Sequence, residues 1–102
     1  MQPGALIRAG QGVQAPEIQE LPSYSYPQAA KGSGRKVTIR VAVLVDETGQ
    51  VIDSRVREGD RSGLGFEEAA LEAAKKARYF PATRDGVAGK MWTDLELVFE
   101  EP

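Results

Sequence analysis

Residues 37–45 read VTIRVAVLV, and this stretch decides the fold. Its odd positions are all β-branched and apolar, whereas its even positions begin with Thr38 and Arg40 and end with Ala42 and Leu44. Alternation with a period of two is typical of a strand with one buried face. Because the second face also becomes apolar toward the end, we expect a central strand that has neighbours on both sides.

Three later segments supply those neighbours. Residues 46–49 (DETG) have the composition of a hairpin loop, and the more polar residues 50–57 predict a returning edge strand. Residues 91–99 (MWTDLELVF) alternate again and predict the last strand, which follows a tight turn at residues 85–86 (DG). Strand-connection rules favour the spatial order second, first, last, and this order leaves the last strand at an open edge.

Two helices are predicted to cover one face of this sheet. Apolar residues recur at helical spacing over residues 66–77, and Pro81 is expected to stop this longer helix. A shorter helix of about one and a half turns is predicted between Pro27 and Gly32, with two preceding tyrosines as anchors. The fold class is therefore α+β, a three-stranded antiparallel sheet packed on one face by a long and a short helix.

The first part of the chain has a different composition. Residues 1–21 are rich in Gly, Gln and Pro and show no apolar period, so they predict a flexible linker. Residues 22–102 are then the folded domain, which accounts for most of the 102 residues.

Composition argues against several kinds of function. The net charge is −2 with both signs interspersed, which disfavours nucleic-acid binding. The chain contains no His and no Cys, so the commonest general base and the commonest metal ligands are absent, and we expect no metal site and no cofactor. An enzyme would need carboxylates or a Ser/Lys arrangement, and the adjacent carboxylate pairs at 67–68 and 100–101 are better explained by a helix start and a solvated terminus.

The chain resembles the C-terminal domain of the TonB family of energy transducers over about residues 22–99. The resemblance lies in five segments in the same order: residues 26–30 (YPQAA), 37–51 (VTIRVAVLVDETGQV), 66–70 (FEEAA), 77–82 (ARYFPA) and 84–86 (RDG). The sequence departs from the family at Ala77, where many members carry a tryptophan. The family's proline-rich spacer and membrane anchor are expected in another part of the full-length protein.

The resemblance implies a periplasmic, non-enzymatic adaptor, anchored in the inner membrane in the full-length protein. Such an adaptor receives work from a proton-driven inner-membrane complex of the ExbB–ExbD type. It passes this work to outer-membrane receptors that import iron–siderophore complexes or cobalamin. The alternative is a TonB-like interaction module that acts in secretion or envelope assembly rather than in transport.

The resemblance also implies where the partner binds. Family members pair their last strand with a short receptor segment, the TonB box, through β-strand addition. By matching position, the partner-binding residues are Met91, Trp92, Thr93, Asp94, Leu95, Glu96, Leu97 and Val98, with Tyr26 and Pro27 nearby. Another copy of the chain could pair with the same open edge, so a homodimer is a competing expectation.

Overall fold

The computed structural model describes residues 4–101, which contain eight β-strands and one α-helix. The strands are β1 (Val13–Gln14), β2 (Glu17–Glu20), β3 (Lys36–Val45), β4 (Val51–Glu58), β5 (Arg78–Phe80), β6 (Ala82–Arg84), β7 (Val87–Gly89) and β8 (Met91–Glu100). The helix α1 spans Phe66–Lys76, and a single 3-10 turn spans Gln28–Ala30. All pairs of these strands are antiparallel.

The central sheet has the strand order β4–β3–β8. β3 pairs with β8 along its whole length, from Lys36 opposite Glu100 to Val45 opposite Met91. The alternation that predicted this strand produces a completely buried apolar row, which forms the floor of the core: Ile39, Val41, Val43 and Val45. The flanking strand β8 adds Leu97 and two more buried side chains to the same face.

The hairpin between β3 and β4 is held by one carboxylate. The Asp46 Oδ1 atom accepts hydrogen bonds from the Thr48 amide at 2.9 Å, the Thr48 hydroxyl at 2.6 Å and the Gln50 amide at 3.0 Å. Burial would raise the pKa of Asp46, but these hydrogen bonds and the charge of Lys90 outweigh it, so the pKa lies below the ordinary aspartate value. The predicted hairpin loop is confirmed.

α1 covers the sheet with Phe66 and a row of alanines, of which three are buried. The prediction that this helix continues until Pro81 stops it is wrong, because α1 ends at Lys76 and residues 78–80 form β5 instead. The Tyr79 amide donates to the Gly49 carbonyl oxygen at 2.9 Å, and β5 also pairs with β2. Strand pairing, which has no local sequence signal, therefore ends the helix before the proline does.

The predicted short helix is also wrong. Its place is taken by the three-residue 3-10 turn, so the described residues contain one α-helix rather than two. The available stretch is only about one and a half turns, which is too short to repay helix nucleation. The turn still contributes to the core, because its last residue, Ala30, is buried.

An aromatic cluster joins the segment before this turn to the sheet and to α1. The Phe66 ring lies edge-on to Tyr26, with ring centroids 5.4 Å apart, and edge-on to Phe99 at 5.6 Å. Tyr24 and Phe99 form another edge-to-face pair, with ring centroids 5.0 Å apart. Residues 24–26 are thus fixed against the end of β8, as their anchoring role predicted.

Much of the predicted flexible linker is paired with the rest of the chain. We call residues 4–20 the N-terminal arm; its β1 pairs with β6 and its β2 with β5. Ile7 is only 2% exposed and packs over Gly89, where any side chain would collide with Ile7 and with the Ala5 carbonyl oxygen. The arm docks mainly through main-chain hydrogen bonds, which leave no periodic pattern in the sequence. The division of the chain into a flexible linker and a domain at residues 21 and 22 stays a prediction.

Candidate functional site

The strand β8 has one paired edge and one edge without a partner strand. It pairs with β3 on one side, and no strand formed by residues 4–101 lies on the other side. All of the partner-binding residues predicted between Met91 and Val98 belong to this strand. The unpaired side of β8 is therefore the candidate site.

The hydrogen bonds of Val98 show which main-chain groups face this side. The Tyr24 hydroxyl donates to the Val98 carbonyl oxygen and accepts from the Val98 amide, both at 3.1 Å. In an antiparallel strand the N–H and C=O of one residue point the same way, and successive residues alternate. The amides and carbonyls of Trp92, Asp94 and Glu96 must therefore also point away from β3. We call these six groups the open edge.

The N-terminal arm closes the opposite end of the same side. The Lys90 amide donates to the Ala5 carbonyl oxygen at 2.8 Å, and the Lys90 carbonyl oxygen accepts from the Ile7 amide at 2.6 Å. These two hydrogen bonds form a single parallel β-bridge between Leu6 and Lys90. The open edge consequently lies between two contacts made by the chain itself, at Lys90 and at Val98.

The two faces of β8 differ strongly in character. Leu95 and Leu97 are buried on the face that carries the core, whereas Asp94 and Glu96 are exposed on the other face. On the exposed face the Arg57 guanidinium contacts both Asp94 carboxylate oxygens at 3.3 Å. A strand added here would meet apolar side chains on one face and carboxylates on the other.

A shallow groove of about 530 Å³ lies on the exposed face of the central sheet, across β4, β3 and β8. Its wall is formed by the Trp92 ring, with the Arg55 guanidinium 5.3 Å from the ring centroid, which is a cation–π distance. The groove is lined by Ala42, Arg55, Val56, Arg57, Trp92, Thr93 and Asp94. The groove therefore lies between Trp92 and β4, over the central sheet.

The other two predicted site residues lie away from the open edge. Tyr26 is only 8% exposed, and its hydroxyl donates to the Arg35 carbonyl oxygen at 2.7 Å. Pro27 immediately precedes the 3-10 turn and approaches Gly65 at the start of α1. The tyrosine that reaches β8 is Tyr24, which the sequence predicted only as an anchor. No periodicity signals this contact, because both hydrogen bonds go to the main chain of Val98.

The far end of β8 is held in place by Glu101. Its carboxylate accepts hydrogen bonds from the amides of Gly32 at 2.6 Å and Gly34 at 2.9 Å. These two amides hold the pKa of Glu101 below its ordinary value. The turn that leads into β3 and the end of β8 are thereby connected directly.

Comparison with known proteins identifies the family. The model of the family described as "Gram-negative bacterial TonB protein C-terminal" matches residues 22–100. The chain belongs to the TonB C-terminal family. The predicted resemblance is therefore confirmed, and it supports a TonB-like role in general terms. Members of this family are periplasmic, non-catalytic transducer domains that interact with outer-membrane receptors.

A solved structure supports the fold. The solution NMR structure of the Pseudomonas aeruginosa TonB C-terminal domain matches with a TM-score of 0.54 and 18% identity. The alignment covers 91% of this chain and 88% of that one. A comparison with curated proteins finds no match. None of the helices in residues 4–101 has the length and the apolar character needed to cross a membrane.

Proposed function

We propose that this domain binds an extended segment of an outer-membrane receptor by β-strand addition to the open edge. The proposed segment is the receptor's TonB box. The observation that carries the proposal is the set of main-chain groups at Trp92, Asp94 and Glu96, which point outward and have no strand partner among the described residues. Main-chain groups of this kind give a strand-adding peptide most of its affinity, while alternate side chains set its specificity.

The two faces of β8 define the segment that fits best. Side chains directed toward the core face would lie beside Leu95 and Leu97, so apolar residues are favoured there. Side chains on the exposed face would lie beside Asp94 and Glu96. Asp94 is already paired with Arg57, so a basic residue opposite Glu96 is favoured. We expect an alternating segment with apolar residues on one side and a polar or basic residue on the other.

The energy-transducing part of the proposal rests on family membership. We infer that the domain is the periplasmic end of an anchored protein that receives work from an ExbB–ExbD-type complex. A strand added at the open edge would be pulled through hydrogen bonds to Trp92, Asp94 and Glu96 of β8, and β8 is in turn paired with β3 over ten residue pairs. This arrangement is suited to carrying force between a receptor and the core of the domain. The cargo that we propose for these receptors is an iron–siderophore complex or cobalamin.

The test is an NMR titration of the chain with synthetic TonB-box peptides. Saturable shifts should appear at the amides of residues 92–96. The decisive variant is Glu96→Pro, because proline removes an outward N–H that β3 does not use. Its control is Glu96→Ala, which removes the same carboxylate but keeps the N–H.

We expect Glu96→Pro to weaken peptide binding about tenfold or more, through loss of the outward donor and of regular strand geometry. Glu96→Ala should stay within about threefold of the original chain. Equal binding by both variants would contradict strand addition at this edge. No shift with any peptide, while the chain is folded and monomeric, would instead favour the secretion or envelope-assembly module. Broadening along β8 before peptide is added would indicate a homodimer.

A further inference from the structure

The open edge is short because the chain closes it at both ends. At Val98 the Tyr24 hydroxyl uses both outward main-chain groups, each at 3.1 Å. At Lys90 the N-terminal arm uses both outward groups as well, at 2.8 and 2.6 Å. Seven residues lie between these two contacts, positions 91 to 97, and they span roughly 24 Å of extended strand.

The Tyr24 hydroxyl imitates one residue of a neighbouring strand. It donates to a carbonyl oxygen and accepts from an amide of the same residue, as an adjacent strand does in a hydrogen-bonded pair. Its position is fixed by the ring, which lies edge-on against Phe99 with centroids 5.0 Å apart. A partner strand can pair with Val98 only after this side chain has moved away.

We propose that Tyr24 ends the partner's strand and so sets the length and register of the segment that the open edge accepts. This inference rests on the proposed function. The segment pairs with Trp92, Asp94 and Glu96 and stops before Val98, so about five partner residues are held as a strand. A longer segment gains nothing from its additional residues at this end, because the groups that they would bind are already occupied. The occupant is an extended receptor segment, and a second copy of this chain meets the same limit.

The test compares peptide lengths. A five-residue TonB-box peptide and two nine-residue versions, extended by alanine and serine at one end or the other, are titrated into the original chain and the Tyr24→Ala variant. In the original chain all three should bind within about threefold of one another. In Tyr24→Ala one nine-residue peptide should gain roughly tenfold, because two hydrogen bonds to Val98 become available. The five-residue peptide should bind both chains equally.

Two further variants keep the result interpretable. Tyr24→Phe retains the ring against Phe99 and removes only the hydroxyl, so the amide proton of Val98 should exchange faster in the free protein. Tyr79→Phe is the control, because it removes a tyrosine hydroxyl that has no hydrogen-bond partner in residues 4–101. This control should leave both the Val98 exchange rate and the peptide-length dependence unchanged.

The possible failures are distinguishable. If no peptide binds any variant, the proposed function fails, and this inference fails with it. If peptides bind the original chain and already shift the Val98 amide, or if nine-residue peptides gain equally in both chains, only the role of Tyr24 is overturned. Unchanged Val98 exchange in Tyr24→Phe would also overturn it. A nine-residue peptide whose affinity rises about tenfold in Tyr24→Ala, and not in the original chain, would support it.

Discussion

The contact between the hairpin loop and β5 offers a sharp test of how this fold is held together. Gly49 has a φ of +91°, and a Cβ atom added there would lie far inside van der Waals contact of the Tyr79 carbonyl oxygen. The same residue accepts the Tyr79 amide hydrogen bond at 2.9 Å. Replacing Gly49 with alanine should therefore strain the backbone and also separate the loop from β5.

The magnitude follows from the two effects. An L side chain in the left-handed region costs roughly 1–2 kcal/mol. Relieving the collision costs about 1–3 kcal/mol more, and weakening the hydrogen bond adds about 1 kcal/mol. Gly86→Ala is the matched control, because Gly86 also has a positive φ, +82°, but an added Cβ would meet nothing within 4 Å. That variant should cost only the first of these amounts.

Urea denaturation of the two variants measures the difference. We expect Gly49→Ala to lose at least about 2 kcal/mol more free energy of unfolding than Gly86→Ala. For a domain of this size that corresponds to a midpoint of thermal unfolding lower by roughly 10 °C or more. The slope of unfolding free energy against urea should be equal in both, since the surface exposed on unfolding is unchanged. Equal stability of the two variants would refute the close approach between the loop and β5.

Three further predictions concern the hairpin, a buried phenol and the N-terminal arm. Asp46→Asn should lower the free energy of unfolding by about 1 kcal/mol at pH 7, because a charged acceptor makes stronger hydrogen bonds. Folding lowers the pKa of Asp46, so the urea midpoints of Asp46→Asn and the original chain should differ above about pH 4 and converge as the pH falls further. A difference that stays constant down to about pH 2.5 would contradict the role of the Asp46 carboxylate as a charged acceptor. Tyr79→Phe should raise the free energy of unfolding in urea by about 1 kcal/mol, because it removes a buried hydroxyl that has no hydrogen-bond partner in the described part of the chain. A lower free energy of unfolding would show that this hydroxyl does make a hydrogen bond. Ile7→Ala should speed hydrogen exchange of the Lys90 amide by about 30-fold, because the loss of a buried side chain weakens the docking of the arm. Leu6→Ala is the control and should change the exchange rate little, because the Leu6 side chain is 53% exposed. Rapid exchange of this amide in the original chain would instead agree with a flexible arm.

The parts of the fold that follow from local pattern could be predicted. The alternating stretch at 37–45 became β3, and the alternating residues 91–99 became β8, each extended by one residue. The turn at Asp85 and Gly86 was readable because both residues adopt positive φ, which this pair tolerates well. The end of α1 could not be predicted from the sequence, because it is set by the main-chain pairing of residues 78–80 and not by Pro81.

The same distinction applies to the candidate site: side-chain patterns could be predicted from the sequence, whereas main-chain contacts could not. The resemblance directed attention to β8, but the groups that limit its open edge are a tyrosine hydroxyl and an arm whose composition resembles a linker. Both act on the main chain of Val98 or Lys90, so no residue type at those positions announces the contact. Only the three-dimensional structure shows that Tyr24 contacts Val98 and that the arm contacts Lys90.

These contacts also bear on how an exposed edge avoids pairing with its own copy. If two β8 strands met antiparallel about the centre of the open edge, Asp94 of one copy would lie opposite Asp94 of the other, a like-charge pair that disfavours association. Lengthening that contact would require Tyr24 and the arm to leave both copies. A short receptor segment without an acidic residue at that position would avoid this pair and would need to displace neither Tyr24 nor the arm. We therefore expect the edge to accept a short segment of suitable sequence more readily than a second copy of the chain, and we attribute this expected difference to Tyr24, Asp94 and the arm.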